Sequence, residues 1–127
     1  MIRMFSNIPA ITAAAIGEIG NQLTFSFPEV LEVIKLCSAN EIAVLGLELL
    51  EAHPEGGYAT KNYSLYDRGL KIPLAIEDWA AYVRECNSLA EKFVHLNPAG
   101  DGHVYILSAS SWEEFCEIQR PGTQQSR

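Results

Sequence analysis

The stretch EIAVLGLELLEAHPEGGYATKNYSLYD, residues 41–67, decides the predicted fold. It begins as an apolar block, is interrupted at Pro54–Gly57, and continues as a tyrosine-rich block of alternating character. Two runs of strand-forming residues joined by a short connection with Gly and Pro are typical of a β-hairpin. We therefore predict one strand over Glu41–Glu51 and a second over Tyr58–Tyr66.

The first predicted strand is apolar on both faces, which is typical of a central strand that is covered on each side. One face carries Ile42, Val44, Gly46, Glu48 and Leu50, and the other carries Ala43, Leu45, Leu47 and Leu49. Glu48 is the exception, because a carboxylate in an apolar row is destabilising unless it is paired or reaches solvent.

The second predicted strand alternates in character, which favours a position at or near the edge of the sheet. Its inward face is predicted to hold Ala59, Lys61, Tyr63 and Leu65, and its wetter face Tyr58, Thr60, Asn62, Ser64 and Tyr66. A third strand is predicted over His103–Ala109.

A long helix is predicted over residues 76–96, where apolar residues recur every three or four positions. The predicted core stripe is Ile76, Trp79, Val83, Cys86, Ala90, Phe93 and Leu96. A sheet and a helix that each have an apolar side form stable layers when these sides pack together. The predicted class is therefore α+β: a small, mainly antiparallel sheet of three or more strands, packed against one long helix with shorter helices around it.

Local patterns predict the shorter helices. They cover Pro9–Gly20, Ser26 to about Asn40, and Ser110 to Pro121, with an extended segment over Asn21–Phe27. Ser-x-x-Glu sequences are typical of capping boxes at helix starts. The chain has two candidates, Ser26 with Glu29 and Ser110 with Glu113.

The length and composition of the chain indicate a single globular domain. Its 127 residues, 48% of them hydrophobic, are enough for a core that needs no metal or disulfide. We predict one domain over residues 1–127, with 122–127 as a flexible polar tail. Cys37, Cys86 and Cys116 match neither a disulfide framework nor a metal motif, so they predict buried thiols in a reducing compartment.

The net charge of −7, from 9 Lys and Arg against 16 Asp and Glu, disfavours nucleic acids and anionic membranes as partners. Nucleic-acid binding requires clustered basic residues, and the sequence has no such cluster. No apolar run approaches the ~20 residues of a membrane-spanning helix. We therefore predict a cytoplasmic protein with no nucleic-acid and no membrane partner.

The sequence contains no recognisable catalytic or metal-binding motif. The spacing of His53, His95 and His103 matches no short metal motif. The glycines near Gly56 and Gly100 lack the strand, helix and lysine context of a phosphate-binding loop, so they indicate turns. We predict no catalytic residues, no metal and no cofactor.

Carboxylates and tyrosines of the hairpin form the candidate partner-binding set: Glu48, Glu51, Glu55, Tyr58, Tyr63, Tyr66 and Asp67. Tyrosine contributes a large contact area with little rotamer entropy to lose, and acidic groups raise the rate of encounter with a basic partner. Such a set favours protein binding, although ordinary strand propensity also explains the tyrosines.

The run IAVLGLE at residues 42–48, followed by TKNY at 60–63, resembles a family of small α+β immunity proteins from bacterial polymorphic toxin systems. In that family a similar strand leads into a second strand with Tyr, Asn and Trp. A long helix with an early aromatic residue and a late strand complete the order, and Trp79 and the run VYIL at 104–107 match them. Leu47 stands where a second glycine is expected, and no tryptophan follows Asn62.

This resemblance implies a non-enzymatic inhibitor that binds and blocks a cognate protein toxin, basic at the contact surface, in the cytoplasm of the producing cell. Two alternatives stay open. One is a small hydrolase or ligand-binding domain with a pocket between the sheet and the long helix, where carboxylates act with His103. The other is an adaptor that dimerises through the edge strand.

Overall fold

A computed structural model describes residues 8–65 and 72–119, which form four α-helices and five β-strands. The helices are α1 (Pro9–Ala14), α2 (Glu29–Ala39), α3 (Trp79–Leu96) and α4 (Trp112–Gln119). The strands are β1 (Gly17–Ile19), β2 (Gln22–Thr24), β3 (Ala43–Ala52), β4 (Tyr58–Leu65) and β5 (His103–Ser110). A 3₁₀ turn at Ile76–Asp78 leads directly into α3. The tail predicted at 122–127 lies outside the described residues.

The strand β3 is the centre of a three-stranded antiparallel sheet in the order β4–β3–β5. This arrangement confirms the α+β class, the central position of β3 and the edge position of β4. The predicted turn between β3 and β4 is closed by a 2.9 Å hydrogen bond from the His53 N–H to the Gly57 carbonyl. A separate hairpin of β1 and β2 is joined to β5 by a bridge between Phe25 and Tyr105.

A β-bulge in β3 changes the predicted faces of that strand. The register against β5 shifts between Val44 and Gly46, which leaves Leu45 as an extra residue. Because side chains alternate along a strand, one extra residue moves everything beyond it to the opposite face. Val44 and Leu47 consequently both belong to the core. The prediction that Val44 shares a face with Gly46 and Glu48 is therefore wrong.

A second bulge, at Lys61, changes the predicted orientation of β4. The residues on either side of Lys61 pair with adjacent residues of β3, so Lys61 itself is unpaired in this register. The bulge turns Tyr63 and Leu65 away from the helices, and these residues are 64% and 51% exposed. The prediction that Ala59, Lys61, Tyr63 and Leu65 face inward is therefore wrong, since all four are exposed.

The helices α2 and α3 cover one face of the sheet and form the core with it. The buried residues of α3 are Trp79, Tyr82, Val83, Cys86, Asn87, Ala90, Phe93 and Val94, which confirms the middle of the predicted stripe. Its two ends are wrong, because Ile76 is 61% exposed and Leu96 is 73% exposed. Ile76 lies in the 3₁₀ turn, whose period of three breaks the helical spacing, and Leu96 is the last residue of the helix.

The N-terminal segment forms a short helix and a hairpin instead of the helix predicted over Pro9–Gly20. The helix α1 ends at Ala14, and Gly17–Ile19 pairs with Gln22–Thr24. Gly20, with φ 61°, takes the first position of the two-residue turn, where a positive φ favours glycine. The strand β2 confirms part of the extended segment that was predicted to follow.

Both capping boxes differ from the prediction. The helix α2 begins at Glu29 without a side-chain cap, and the Ser26 Oγ donates to the Glu29 carboxylate over 2.6 Å. At α4 the box lies one residue later than predicted, because Ser110 still belongs to β5. There the Ser111 Oγ accepts from the Glu114 N–H and the Glu114 Oε1 accepts from the Ser111 N–H, each at 3.2 Å.

The junction between α2 and β3 is tied to α3. Glu41, with φ 58°, ends α2 in a Schellman motif. In this motif the Glu41 N–H donates to the Ser38 carbonyl and the Ile42 N–H donates to the Cys37 carbonyl. The indole Nε1 of Trp79, the first residue of α3, donates to the Glu41 carbonyl over 2.7 Å.

Asn87, in the middle of α3, satisfies the first backbone groups of β3. Its Oδ1 accepts from the Val44 N–H over 2.8 Å. Its Nδ2 donates to the Ile42 carbonyl over 3.0 Å and to the Ser38 Oγ over 2.8 Å. Because a buried polar group is destabilising without hydrogen-bond partners, these bonds fix α3 against the start of β3.

Cys37 and Cys86 are buried, which confirms the prediction for these two thiols, whereas Cys116 is only partly buried. Desolvation in the core raises the pKa of the Cys37 thiol to about 12. The folded state therefore holds this proton at pH values where the unfolded chain has already released it.

We predict that Cys37 makes the protein less stable in alkaline solution. Because the pKa of the thiol is raised on folding, its contribution to the free energy of unfolding is fully present below the pKa of the unfolded chain. This contribution is lost as the pH rises toward about 12. From about pH 8 to about pH 10, the free energy of unfolding should fall by about 1.4 kcal/mol more in wild type than in Cys37→Ala. Urea titrations at the two pH values measure this difference, and equal falls in both proteins would contradict it.

Candidate protein-binding site

The face of the sheet turned away from α3, here called the open face, consists of three cross-strand rows. From β4 through β3 to β5, the rows are Leu65–Gly46–Ser108, Tyr63–Glu48–Ile106 and Thr60–Leu50–Val104. Residues paired across antiparallel strands point to the same face, so the members of each row are neighbours on this face. Glu48 is the one charged residue in these three rows.

A trough of about 420 Å³ lies on the open face over Gly46. It is lined by Gln22, Gly46, Leu47, Glu48, Thr60, Tyr63, Leu65, Ile106 and Ser108. The strand β4 approaches Gly46 closely. A Cβ atom added to Gly46 would lie 2.8 Å from the Leu65 Cδ2 and 3.0 Å from the Ser64 carbonyl oxygen. Glycine at this position therefore lets the strands meet and keeps the trough open.

Glu48 lies in the middle row and is only partly exposed. The Thr60 Oγ1 donates a hydrogen bond to the Glu48 Oε2. The sequence predicted that this carboxylate needs a partner or solvent, and it has both. Its direct cross-strand neighbours are Tyr63 and Ile106. Their apolar surface lowers the local dielectric constant, which strengthens the attraction between the carboxylate and an incoming cation.

Three members of the predicted partner-binding set share the open face. Glu48 and Tyr63 are directly opposite each other, and Tyr58 pairs with Ala52 in the same alternation phase of β3. Tyr58 is 45% exposed at the beginning of β4. The structure therefore brings together one carboxylate and two tyrosines of the predicted set.

The other members of the set lie elsewhere. Glu51 is on the opposite face of β3, where its Oε2 lies 3.9 Å from the Nε2 of His103. Glu55 is exposed in the connection between β3 and β4. Tyr66 and Asp67 lie outside the described residues. Among the described members of the set, Glu48 and Glu51 thus lie on opposite faces of β3.

The layer between the sheet and α3 is filled with buried side chains. The sheet contributes Val44, Leu47, Leu49, Tyr105 and Leu107, and α3 contributes Val83, Cys86, Ala90, Phe93 and Val94. The hydrolase alternative places a pocket with His103 and carboxylates in this layer. His103 lies at the start of β5, paired with Glu51 and in the same alternation phase as the buried Tyr105 and Leu107.

The structure adds Leu65, Ile106 and Ser108 to the candidate site, and none of them belongs to the predicted partner-binding set. Ile106 and Ser108 share one alternation phase of β5, which is the signal that the sequence offers for grouping them. Leu65 has no such signal, because the bulge at Lys61 reverses its face.

No helix in the described parts of the chain is both long enough and apolar enough to cross a bilayer. In residues 8–65 and 72–119, no group of three or more His, Cys, Asp or Glu side chains is arranged to hold a metal ion. Comparisons with models of protein families, with curated proteins and with solved structures found no match. The geometry and chemistry of the open face are therefore the basis for a functional proposal.

Proposed function

We propose that this protein is a non-enzymatic immunity-type protein that binds a cognate bacterial toxin and neutralises it. The observation that carries the proposal is the open face, where exposed Tyr63 and Leu65 lie beside the partly buried carboxylate of Glu48. A strand as apolar as β3 is usually covered on both faces. Leu50 and Val104 on the open face are each 6% exposed, so its accessible apolar surface is mainly that of Tyr63 and Leu65, and an exposed apolar patch is typical of a protein-interaction surface.

The residue types on the open face support this function. Tyrosine is enriched at the energetic centres of protein interfaces because it combines a large apolar ring with a hydroxyl group. Tyr63 lies in the middle row of the face, on the edge strand β4, with Leu65 next to it in the same alternation phase. A partner that covers both side chains would bury apolar surface around a single charged group.

The charge of the chain and the family resemblance support the kind of partner. A net charge of −7 accelerates encounter with a basic protein and repels acidic ones. The strand sequence IAVLGLE at 42–48, which resembles toxin-immunity proteins, supplies the open-face residues Gly46 and Glu48. The proposed mechanism is stoichiometric inhibition. The bound protein covers the active site or the substrate path of the toxin, and no covalent bond is made or broken.

Co-expression with a toxin domain encoded in an adjacent gene tests this function. We expect the protein to restore growth and to bind the purified toxin domain in a one-to-one complex. The substitution Tyr63→Ser should weaken the affinity at least about tenfold, because it removes the exposed aromatic ring from the proposed contact.

The matched control is Leu96→Ser, which removes a large side chain that is 73% exposed on α3. It should leave both affinity and protection unchanged. A toxin that stays active in the presence of excess protein would overturn the proposed function, as would catalytic turnover of a substrate by the purified protein alone.

A further inference from the structure

We infer that the trough on the open face is a binding site for an arginine side chain of a protein partner, with Glu48 as the anion that receives the guanidinium group. The inference rests on the proposed function in one respect, because it takes the partner to be a protein. It adds the chemical group that the partner must present and the point on the sheet where that group binds.

The carboxylate of Glu48 forms no ion pair with any of the described residues. The ion pairs there are Lys35 with Glu32 and His103 with Glu51. Glu48 has the hydrogen bond from Thr60, which occupies Oε2 and leaves Oε1 without a hydrogen-bond partner in the same part of the chain. A partly desolvated carboxylate with free acceptor capacity favours a cation that can donate hydrogen bonds.

The neighbours of Glu48 select arginine over lysine. A guanidinium group is planar, donates in a fixed fork and is more weakly hydrated than an ammonium group. It also stacks on aromatic rings, and the ring of Tyr63 lies directly across the strand from Glu48. Thr60 fixes the carboxylate by its hydrogen bond, so little orientational freedom is lost when the fork binds.

The trough has room for the rest of the side chain. Its volume of about 420 Å³ exists because Gly46 places no side chain in the row beside Glu48. Leu65 and Ile106 offer apolar surface against which the methylene groups of the arginine can pack. Long cationic side chains commonly bury their stems in this way while the charged head group stays in a polar environment. Ser108 and Gln22, on the β5 side, add oxygen acceptors for the remaining guanidinium N–H groups.

A second copy of the chain is a weaker candidate for this trough. Pairing between two β4 edges is opposed by the bulge and the lysine at position 61, since both features disrupt edge-to-edge hydrogen bonding. Two copies each carry a net charge of −7, so their encounter is unfavourable. A basic partner has the opposite sign and meets neither obstacle.

Titration of the full-length, isotope-labelled protein with N-acetyl-arginine methylamide tests the inference by NMR. We expect shifts of the backbone amides of Gly46, Glu48, Thr60, Tyr63 and Ser108, with a dissociation constant in the millimolar range. The lysine analogue should bind more weakly, and the neutral citrulline analogue should give no saturable shift. In Glu48→Gln, the arginine affinity should fall at least about tenfold, because the charge–charge attraction is lost.

The charge-matched control is Glu85→Gln, because Glu85 is exposed on α3, away from the open face. It should bind the arginine compound as wild type does, and the amide spectra of both variants report whether the fold is intact. An equal response to arginine and citrulline would overturn the inference, as would shifts of the same amides that depend on protein concentration alone.

The two proposals fail in different ways. If the arginine compound binds at Glu48 but the toxin domain is not neutralised, the proposed function fails and the arginine site stands. If Glu48→Gln still binds and neutralises the toxin domain with unchanged affinity, the arginine site fails and the proposed function stands.

Discussion

Replacement of Trp79 by alanine is expected to lower the free energy of unfolding by about 3–5 kcal/mol. Trp79 is 1% exposed, and its ring centroid lies 5.5 Å from that of Tyr82, 5.4 Å from that of Trp112 and 5.2 Å from that of Phe115. The substitution removes the central ring of this cluster and leaves a cavity between α3 and α4. It also removes the N–H that donates to the Glu41 carbonyl.

Urea denaturation followed by circular dichroism measures this effect without relying on tryptophan fluorescence. The variant Trp79→Phe keeps a ring in the cluster, but it loses the indole hydrogen bond and the volume of the second ring. We expect it to be intermediate in stability. Leu96→Ala, on the same helix but 73% exposed, is the control and should change stability by less than about 0.5 kcal/mol. A Trp79→Ala variant as stable as this control would show that the cluster does not hold the fold together.

Replacement of Asn87 by leucine is expected to lower the free energy of unfolding by about 2–4 kcal/mol. Leucine has the same branching and the same number of heavy atoms as asparagine, so we expect most of the change to come from the lost hydrogen bonds. The Val44 N–H and the Ile42 carbonyl both lose their Asn87 partner. Backbone groups that are buried without a partner are destabilising by about 1–3 kcal/mol each.

Thermal and urea denaturation measure the loss, with Asn62→Ala as the control. Asn62 also donates through its amide, to the Asn97 Oδ1 over 2.8 Å, but this bond is exposed to solvent. Water replaces it at little free-energy cost, so we expect the control to be close to wild type. Equal effects of the two substitutions would contradict the assignment of Asn87 as the residue that ties α3 to β3.

The sequence predicted the elements whose pattern is local. The stripe of α3 recurs at helical spacing, and the apolar block of β3 is long enough to be recognised as a central strand. The role of Asn87 was not predictable in this way, because its partners at 38, 42 and 44 are brought to it only by the packing of α2 and β3. Helical spacing places Asn87 near Val83 and Ala90 on the apolar side of α3, but it does not identify the groups to which the amide bonds.

The candidate site was predictable in part. Glu48 and Tyr63 were both in the predicted partner-binding set, and their position directly opposite each other follows from the register of β3 and β4. The strict alternation assumed for β4 assigned Tyr63 and Leu65 to the core, since nothing in the local sequence identifies Lys61 as an extra residue. Glu51 was grouped with Glu48 because the two are close in sequence, although odd spacing along a strand places them on opposite faces.

The extra residue in β4 also has a consequence for how this surface can change over time. Loss of the single codon for residue 61 would remove the bulge and keep every other pair, because Thr60 already pairs with Leu50 and Asn62 with Leu49. Tyr63 and Leu65 would stay opposite Glu48 and Gly46. A codon lost between Asn62 and Leu65 would instead shift the residues on one side of it by one position relative to β3, and such a shift moves side chains to the opposite face. The strand can therefore lose its extra residue without changing the groups that it offers to a partner, whereas the same loss a few residues later would exchange them.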